Sequence, residues 1–392
     1  MSLPLEGIRI LDLSRIFAGP FCTQLLADFG AEIIKIEPVS GDQGRWAQPL
    51  IGDQCANFFA VNRNKKSITL DLKKEDGKAI FKKLASNSDV VVDVSRPGTM
   101  DKLGLSYDEL KKVNPRIIYC AISGFGLNTP LSNAPAHEIN ITGMSGITDQ
   151  TRNKDGSPTL SPVPIAAAVG GSLYGVIAIL MALIHRQKTG QGQLCDIAMM
   201  DGAISLLTYA LGELSGCGTK PEPGTSLLDG GFAYYNIYET SDNKYMSLGA
   251  HESKYWRIFC EGIGRPEYIA GHLQAEVQEE IKSGIRAVIK ERSQAEWMEI
   301  FKDNNSCFTP VLDLEEMCEH PQAAARDMVI KVEQFRDSDK DMMLTGIPFK
   351  LSESPGEVKL TFPEAGEHTE RILSEAGYSS EEIKLFKIGG VI

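Results

Sequence analysis

Short apolar, β-branched runs alternate with helical stretches through the first third of the chain, and this alternation constrains the fold more than any other feature. Ile8-Arg9-Ile10-Leu11-Asp12-Leu13 reads as a strand, Pro20 to Phe29 has helical periodicity closed by Gly30, and Ala31-Glu32-Ile33-Ile34-Lys35-Ile36 reads as a second strand. A strand, a helix and a strand joined by short loops form a crossover unit with parallel strands. Ser67 to Leu72 continues as strand, Lys74 to Ala85 as an amphipathic helix, and Asp89 to Val94 as a strand apolar enough to be buried on both faces. Arg116 to Ile122 is the next strand by the same β-branched and aromatic content. Parallel sheets bind ligands at the carboxyl ends of their strands. That rule marks Arg15-Ile16-Phe17-Ala18-Gly19 and Arg96-Pro97-Gly98, each of which directly follows a strand. No GxGxxG is present. Glu37 stands where a dinucleotide fold keeps its ribose-binding acid, but an acid at a strand end is more often a solvated residue, so NAD is a minor alternative.

At 392 residues the chain has ample length for a sizeable core and for one or two domains. A net charge of −12 argues against nucleic acid or an anionic membrane surface as the main partner, while leaving room for one polyanionic ligand held by local Lys and Arg. The eight cysteines are scattered without metal-ligand spacing, which reads as reduced thiols in a cytoplasmic protein with no metal. Val163 to Ile184 carries no charge and is long enough to span a bilayer, but it is solitary and interrupted by Pro164 and Gly170-Gly171. It reads instead as a helix buried in protein, whose first turns near residues 165 to 168 offer amide N–H groups to an enolate or oxyanion. The Gly/Pro-rich break from Gly216 to Gly224 separates a first part of a large domain, 1–215, from a small domain, 225–325. Residues 326–392 return to the large domain, with Thr309-Pro310-Val311 beginning the return. The small domain holds a hairpin of Phe232 to Thr240 and Lys244 to Leu248. The expected class is therefore α/β, a Rossmann-like large domain with a parallel sheet and a smaller α+β domain.

His137, next to Glu138 and near Asn140, has the one side chain that titrates near neutrality without perturbation, which makes it a candidate general base. The order of motifs around it gives that residue type a context. Ser123-Gly124-Phe125-Gly126, Ala136-His137-Glu138-Ile139-Asn140, Gly170-Gly171, Lys188-Thr189-Gly190-Gln191-Gly192-Gln193 and Asp196 to Gly202 together resemble the class III CoA-transferase family, closest to its α-methylacyl-CoA racemase branch. The resemblance runs over essentially the whole chain. It takes in Leu11-Asp12-Leu13-Ser14, Asn62-Arg63-Asn64-Lys65-Lys66-Ser67, Leu248-Gly249-Ala250-His251-Glu252 and Gly366-Glu367-His368-Thr369.

The resemblance implies coenzyme A as part of an acyl-CoA thioester substrate, held by Ile16, Phe17, Ala18, Leu72, Arg96 and Lys102, with Pro38 where the family often has a basic residue. It implies an interlocked homodimer. It also implies His137 as the base, with Glu252 and Asn140 setting its protonation and orientation, and α-proton abstraction through an enolate. One position departs from the pattern. Ala167 stands where the family has an aspartate that serves transferases as nucleophile and racemases as partner base. Three accounts fit an alanine there: an engineered replacement; a natural homologue that uses Glu138, Asp149 or Asp155, or exchanges the proton without inversion; and an acyl-CoA-binding protein without catalysis. A class III transferase moving CoA between carboxylic acids is the alternative activity. Met199, Met200, Tyr234 and Tyr235 are candidates for an apolar acyl pocket, although such residues more commonly belong to the core.

Overall fold

Six strands assemble into one wholly parallel sheet in the computed structural model, which describes residues 2–153, 155–220, 222–303 and 306–392. In chain order they are β1 (Arg9–Asp12), β2 (Glu32–Glu37), β3 (Lys65–Thr69), β4 (Val90–Asp93), β5 (Ile118–Ser123) and β6 (Leu194–Ala198). Their spatial order is β3-β2-β1-β4-β5-β6, every neighbouring pair parallel. The order reverses between β1 and β4. In a doubly wound sheet that reversal opens a crevice outside the carboxyl ends of the two strands, and the segments leaving them there are Leu13–Phe17 and Val94–Gly98.

Helices cover both faces of this sheet. Helix α1 (Ala18–Ala27) packs Cys22 and Leu26 against Ile10, Ile33, Val92 and Ile122. Helix α2 (Glu75–Ser86) lays Ile80, Phe81 and Leu84 on the opposite face with Leu11, Ile34 and Val91, and its acidic first turn and Lys83 in the last turn complement the helix dipole. Short helices α3 (Thr99–Leu103) and α4 (Tyr107–Val113) follow β4, and α5 (Glu138–Ser145) follows β5. The long helix α6 (Ala166–Thr189) begins with a π-helical stretch over Ala166–Leu173 and ends at Gly190, whose φ of 76° requires glycine.

A buried charge network underlies the crevice. Lys65 Nζ lies 3.1 Å from Asp12 Oδ2, which also accepts from the Thr23 hydroxyl at 2.7 Å, while Ser14 N donates to Asp12 Oδ1 at 2.9 Å. Lys35 donates to the Ser14 carbonyl at 2.7 Å and pairs with Asp42 at 2.7 Å. Glu37 is not solvated, contrary to expectation, and is not free for a ribose. It is 1% exposed and holds Arg45 through both carboxylate oxygens, at 2.6 and 2.8 Å. Arg63 grips Asp28 in the same two-point way and reaches the Thr345 carbonyl. The Gly366–Thr369 segment closes the free edge of β3: Gly366 N donates to the Ser67 hydroxyl, His368 N to the Ser67 carbonyl, and Thr69 N to the Thr369 hydroxyl.

The chain divides into two compact units, 1–147 with 160–207 and 322–392, and 148–159 with 208–321. This differs from the sequence expectation at three points. Thr309-Pro310-Val311 does not begin the return. It lies in strand β9 (Phe308–Val311), which pairs with β8 (Tyr245–Gly249), itself paired with β7 (Tyr235–Glu239) in an antiparallel three-stranded sheet. The second unit begins at 208 because the helix expected over Ile204 to Leu214 is two helices, α7 (Met199–Ser205) and α8 (Thr208–Cys217). Residues 148–159 also belong to that unit, where Lys220 pairs with Asp149 at 2.7 Å. Trp256, Phe259, Ile285 and Trp297 form its core beneath the sheet.

The charge-free stretch of α6, up to Ile184, is not buried all round. Ile179, Ala182 and Leu183 face the sheet core, whereas Leu173, Ile177, Leu180, Met181 and Ile184 remain exposed along one stripe. The alanines and glycines in its sequence set close packing on one side only.

Burial pushes the Asp12 carboxyl up, but Lys65 and Lys35, with hydrogen bonds from Ser14 and Thr23, outweigh it and hold it at about 2 against an ordinary 3.8. A depressed carboxylate stabilises the fold fully above its unfolded value and loses that contribution as pH falls through its folded value. Urea midpoints should therefore drop between pH 4 and 2. Asp12→Asn leaves Lys65 buried and unpaired, costs about 3–5 kcal/mol at neutral pH, and should flatten that part of the pH profile.

Candidate functional site

The crevice begins with a strained loop. Ile16 has φ of 68° and is 69% exposed, a left-handed backbone that a β-branched residue adopts only at a cost of about 1–3 kcal/mol. The loop is forced close to its neighbours, because a Cβ on Gly19 would stand 2.1 Å from Ser14 Cβ and 2.8 Å from Val94 Cγ1. Phe17 and Ala18 are half-buried at the start of α1. The Ala18 carbonyl accepts a 2.7 Å hydrogen bond from Ser172, whose hydroxyl also lies 3.2 Å from the Ala167 carbonyl. Ser172 thus ties the loop after β1 to the π-helical start of α6, a connection with no signal in the sequence. The glycines there serve close approach. A Cβ on Gly171 would come 2.9 Å from Ala18 Cβ, and one on Gly202 would fall 2.2 Å from Gly170 Cα.

His137 is the exposed N-cap of α5, with an extended backbone at φ −117° and ψ 176°. Asn140 reaches back to it, but the contact is to the main chain, His137 N donating to Asn140 Oδ1 at 3.0 Å. Asn140 therefore fixes where the helix starts. Glu138, half-buried, sends its carboxylate to the start of α6, where it accepts from Ala166 N at 2.7 Å and Ala167 N at 2.9 Å. The neighbouring amides are also occupied, Ile165 N on the Val163 carbonyl and Ala168 N on the Pro164 carbonyl. The expected oxyanion cradle at 165–168 is thus filled by the chain itself, and the negative charge favoured there is that of Glu138.

The lysines and arginines set among the first four strands separate into two groups. Lys35 and Lys65 are buried in the network under the crevice, Lys66 pairs with Glu32, and Lys74 donates to the Gly389 and Gly390 carbonyls. Among the described residues Arg15, Lys73, Arg96 and Lys102 are exposed and have no side-chain partner. They follow β1, β3 and β4 at the carboxyl edge of the sheet. Leu72, beside Lys73, is half-buried against the core. Arg96 also lines a cavity of about 240 Å³ with Asp93, Tyr107 and Tyr119, where the Tyr119 hydroxyl donates to Asp93 at 2.9 Å. Burial, reinforced by the Asp93 charge, pushes the Tyr119 phenol up, so it remains a donor.

In the second unit Glu252 is the exposed N-cap of helix Ser253–Gly262 and has no side-chain partner among the described residues. Tyr234 is fully buried there among Phe232, His251 and His272, whereas Tyr235 is 40% exposed on the sheet. Asp149 pairs with Arg152 and Lys220, and Asp155 accepts from Ser157.

A family model described as CoA-transferase family III matches residues 5–369. The α-methylacyl-CoA racemase of Homo sapiens is 32% identical over 382 residues, 97% of this chain and 95% of that protein. An acetyl-CoA:oxalate CoA-transferase of Acetobacter aceti is 33% identical over 373 residues, covering 91% of this chain and 93% of its own length. A CAIB/BAIF family protein from Brucella suis superposes with a TM-score of 0.84 at 29% identity, over 96% of this chain and all of that one. The fold and the sequence over nearly the whole chain are thus shared with a family of enzymes, and the chain belongs to CoA-transferase family III.

Proposed function

We propose that this chain removes the α-proton of a 2-methylacyl-CoA thioester through an enolate, as a racemase-like enzyme. The observation that carries the reading is the junction at Glu138, which draws the His137 turn onto the start of α6 at a position, Ala167, that has only a methyl group. An acyl anhydride, the intermediate of a transferase, cannot form on that side chain. A thioester acidifies its α-carbon, and a neutral imidazole at His137 accepts the proton while the electron pair moves to the carbonyl oxygen. Because the amides of residues 165–168 are taken, the enolate oxygen finds its donors elsewhere in the site.

Coenzyme A is bound as part of the substrate. The free cations Arg15, Lys73, Arg96 and Lys102 suit its phosphates, and the strained, exposed Ile16 with Phe17, Ala18 and Leu72 suits its apolar and main-chain contacts. The transferase reading draws on the oxalate-using relative, and a carboxylate restored at 167 would be its requirement. The exposed stripe of α6 is apolar, and we assign a second copy of the chain to cover it, giving a cytoplasmic homodimer.

Solvent-deuterium exchange at the α-carbon tests the reaction. His137→Ala should slow exchange by about 10²–10⁴-fold with little change in KM, and an unchanged rate would favour a binding protein without catalysis. Arg96→Ala and Lys102→Ala should instead raise KM for acyl-CoA and weaken its salt dependence while leaving kcat nearly intact. Met181→Lys, on the exposed stripe, should shift the sedimentation of the protein from dimer to monomer, and a wild-type chain that sediments as a monomer would remove the dimer.

A further inference from the structure

We propose that Glu138 is the second proton carrier of the site, serving the face of the α-carbon opposite His137. The proposal rests on the proton-abstraction reading above. Inverting a carbon centre needs a carrier on each face, because a single base returns the proton to the side it came from. Of the three acids within sequence reach of position 167, Asp149 is held by Arg152 and Lys220, and Asp155 by Ser157, all on the surface of the other compact unit. Only Glu138 brings a carboxylate to Ala167, with Oε2 2.9 Å from its amide nitrogen and Oε1 2.7 Å from that of Ala166. No cation pairs with it among the described residues, so its charge is not neutralised. Each oxygen spends one lone pair on one amide and keeps another for a proton. The two amides also fix the carboxyl in place, which a flexible Glu side chain does not achieve alone.

Although adjacent in sequence, the two residues are placed differently: the Glu138 carboxylate is on the amides of Ala166 and Ala167, and His137 is exposed at the N-cap of α5.

The step balances without any co-reactant. In one direction the α C–H bond facing Glu138 breaks, its proton passes to the Glu138 carboxylate, the form that the two amides favour, and its electron pair moves onto the thioester oxygen. The pair then returns to form a new C–H bond on the other face with a proton of the His137 imidazolium. The enzyme finishes with carboxylic acid and imidazole in place of carboxylate and imidazolium. The reverse direction, or proton exchange with water, restores the starting form.

The test uses both enantiomers of a 2-methylacyl-CoA in deuterium oxide, with the unaltered protein, Glu138→Gln, and Glu138→Gln combined with Ala167→Asp. In Glu138→Gln, racemisation should fall at least about 100-fold, and by much more than deuterium exchange of the enantiomer whose proton faces His137. The added aspartate should restore racemisation. Should Glu138→Gln fail to fold by its thermal melt, Glu138→Asp takes its place, and the shortened acid should slow racemisation more than exchange. Racemisation at the wild-type rate, or an equal loss of exchange for both enantiomers, would overturn the proposal by reducing Glu138 to a structural clamp or a bystander. A wild-type protein that exchanges neither enantiomer would instead overturn the underlying reaction.

Discussion

The carboxylate of Asp12, wholly buried at the end of the central strand, is the interaction on which the ligand edge depends. It receives Lys65 from β3, Thr23 from α1 and Ser14 from its own loop. Three separate segments are thereby fixed to one point. A buried charge of this kind adds little net stability over an apolar core, since desolvation cancels much of the attraction. Its value lies in position, because every competing packing leaves a charge unpaired. The strained backbone at Ile16 persists only where its surroundings are determined this tightly.

From that anchor the geometry passes to the candidate base by two short links. Ser172 joins Ala18 to the first turn of α6, and Glu138 joins that turn to His137. The loop after β1 and the candidate base therefore share one rigid frame, with glycines at 170, 171 and 202 removing side chains that would force the elements apart. Such a frame suits a reaction whose main demand is that a carbon acid be held still between proton carriers.

The parallel sheet was legible because strands buried on both faces announce themselves as β-branched runs, as in Val90 to Val92, and because crossovers have a fixed hand. Local reasoning failed where partners are distant in sequence. Glu37 looks like a solvated strand-end acid until Arg45 and Ser67 fold around it. Thr309-Pro310-Val311 looks like a return segment because β8, its pairing partner, lies some sixty residues earlier. At the site, residue type made His137 a candidate, and the resemblance gave it its expected role and marked the position of Ala167. The grip of Glu138 on the amides of Ala166 and Ala167 spans 28 residues and leaves no trace in periodicity. Asn140 meets His137 through the main chain, its Oδ1 accepting from the His137 amide, a contact that spans three residues. The exposed stripe of α6 went unread because an apolar helix looks the same in sequence whether its own chain or another body covers it.

The π-helical opening of α6 changes how its sequence must be counted. In an α-helix the neighbour above residue 167 on the same face would be 170 or 171, yet the hydroxyl that falls on the Ala167 carbonyl is that of Ser172, five residues on. Deleting a single residue between 166 and 173 would let this stretch wind as an ordinary α-helix. The methyl of position 167 would then swing away from Glu138 even though every side chain of the site remained. The phase of the winding is thus as much a part of the site as the residues themselves, and an alignment gap of one in this stretch is a change of chemistry.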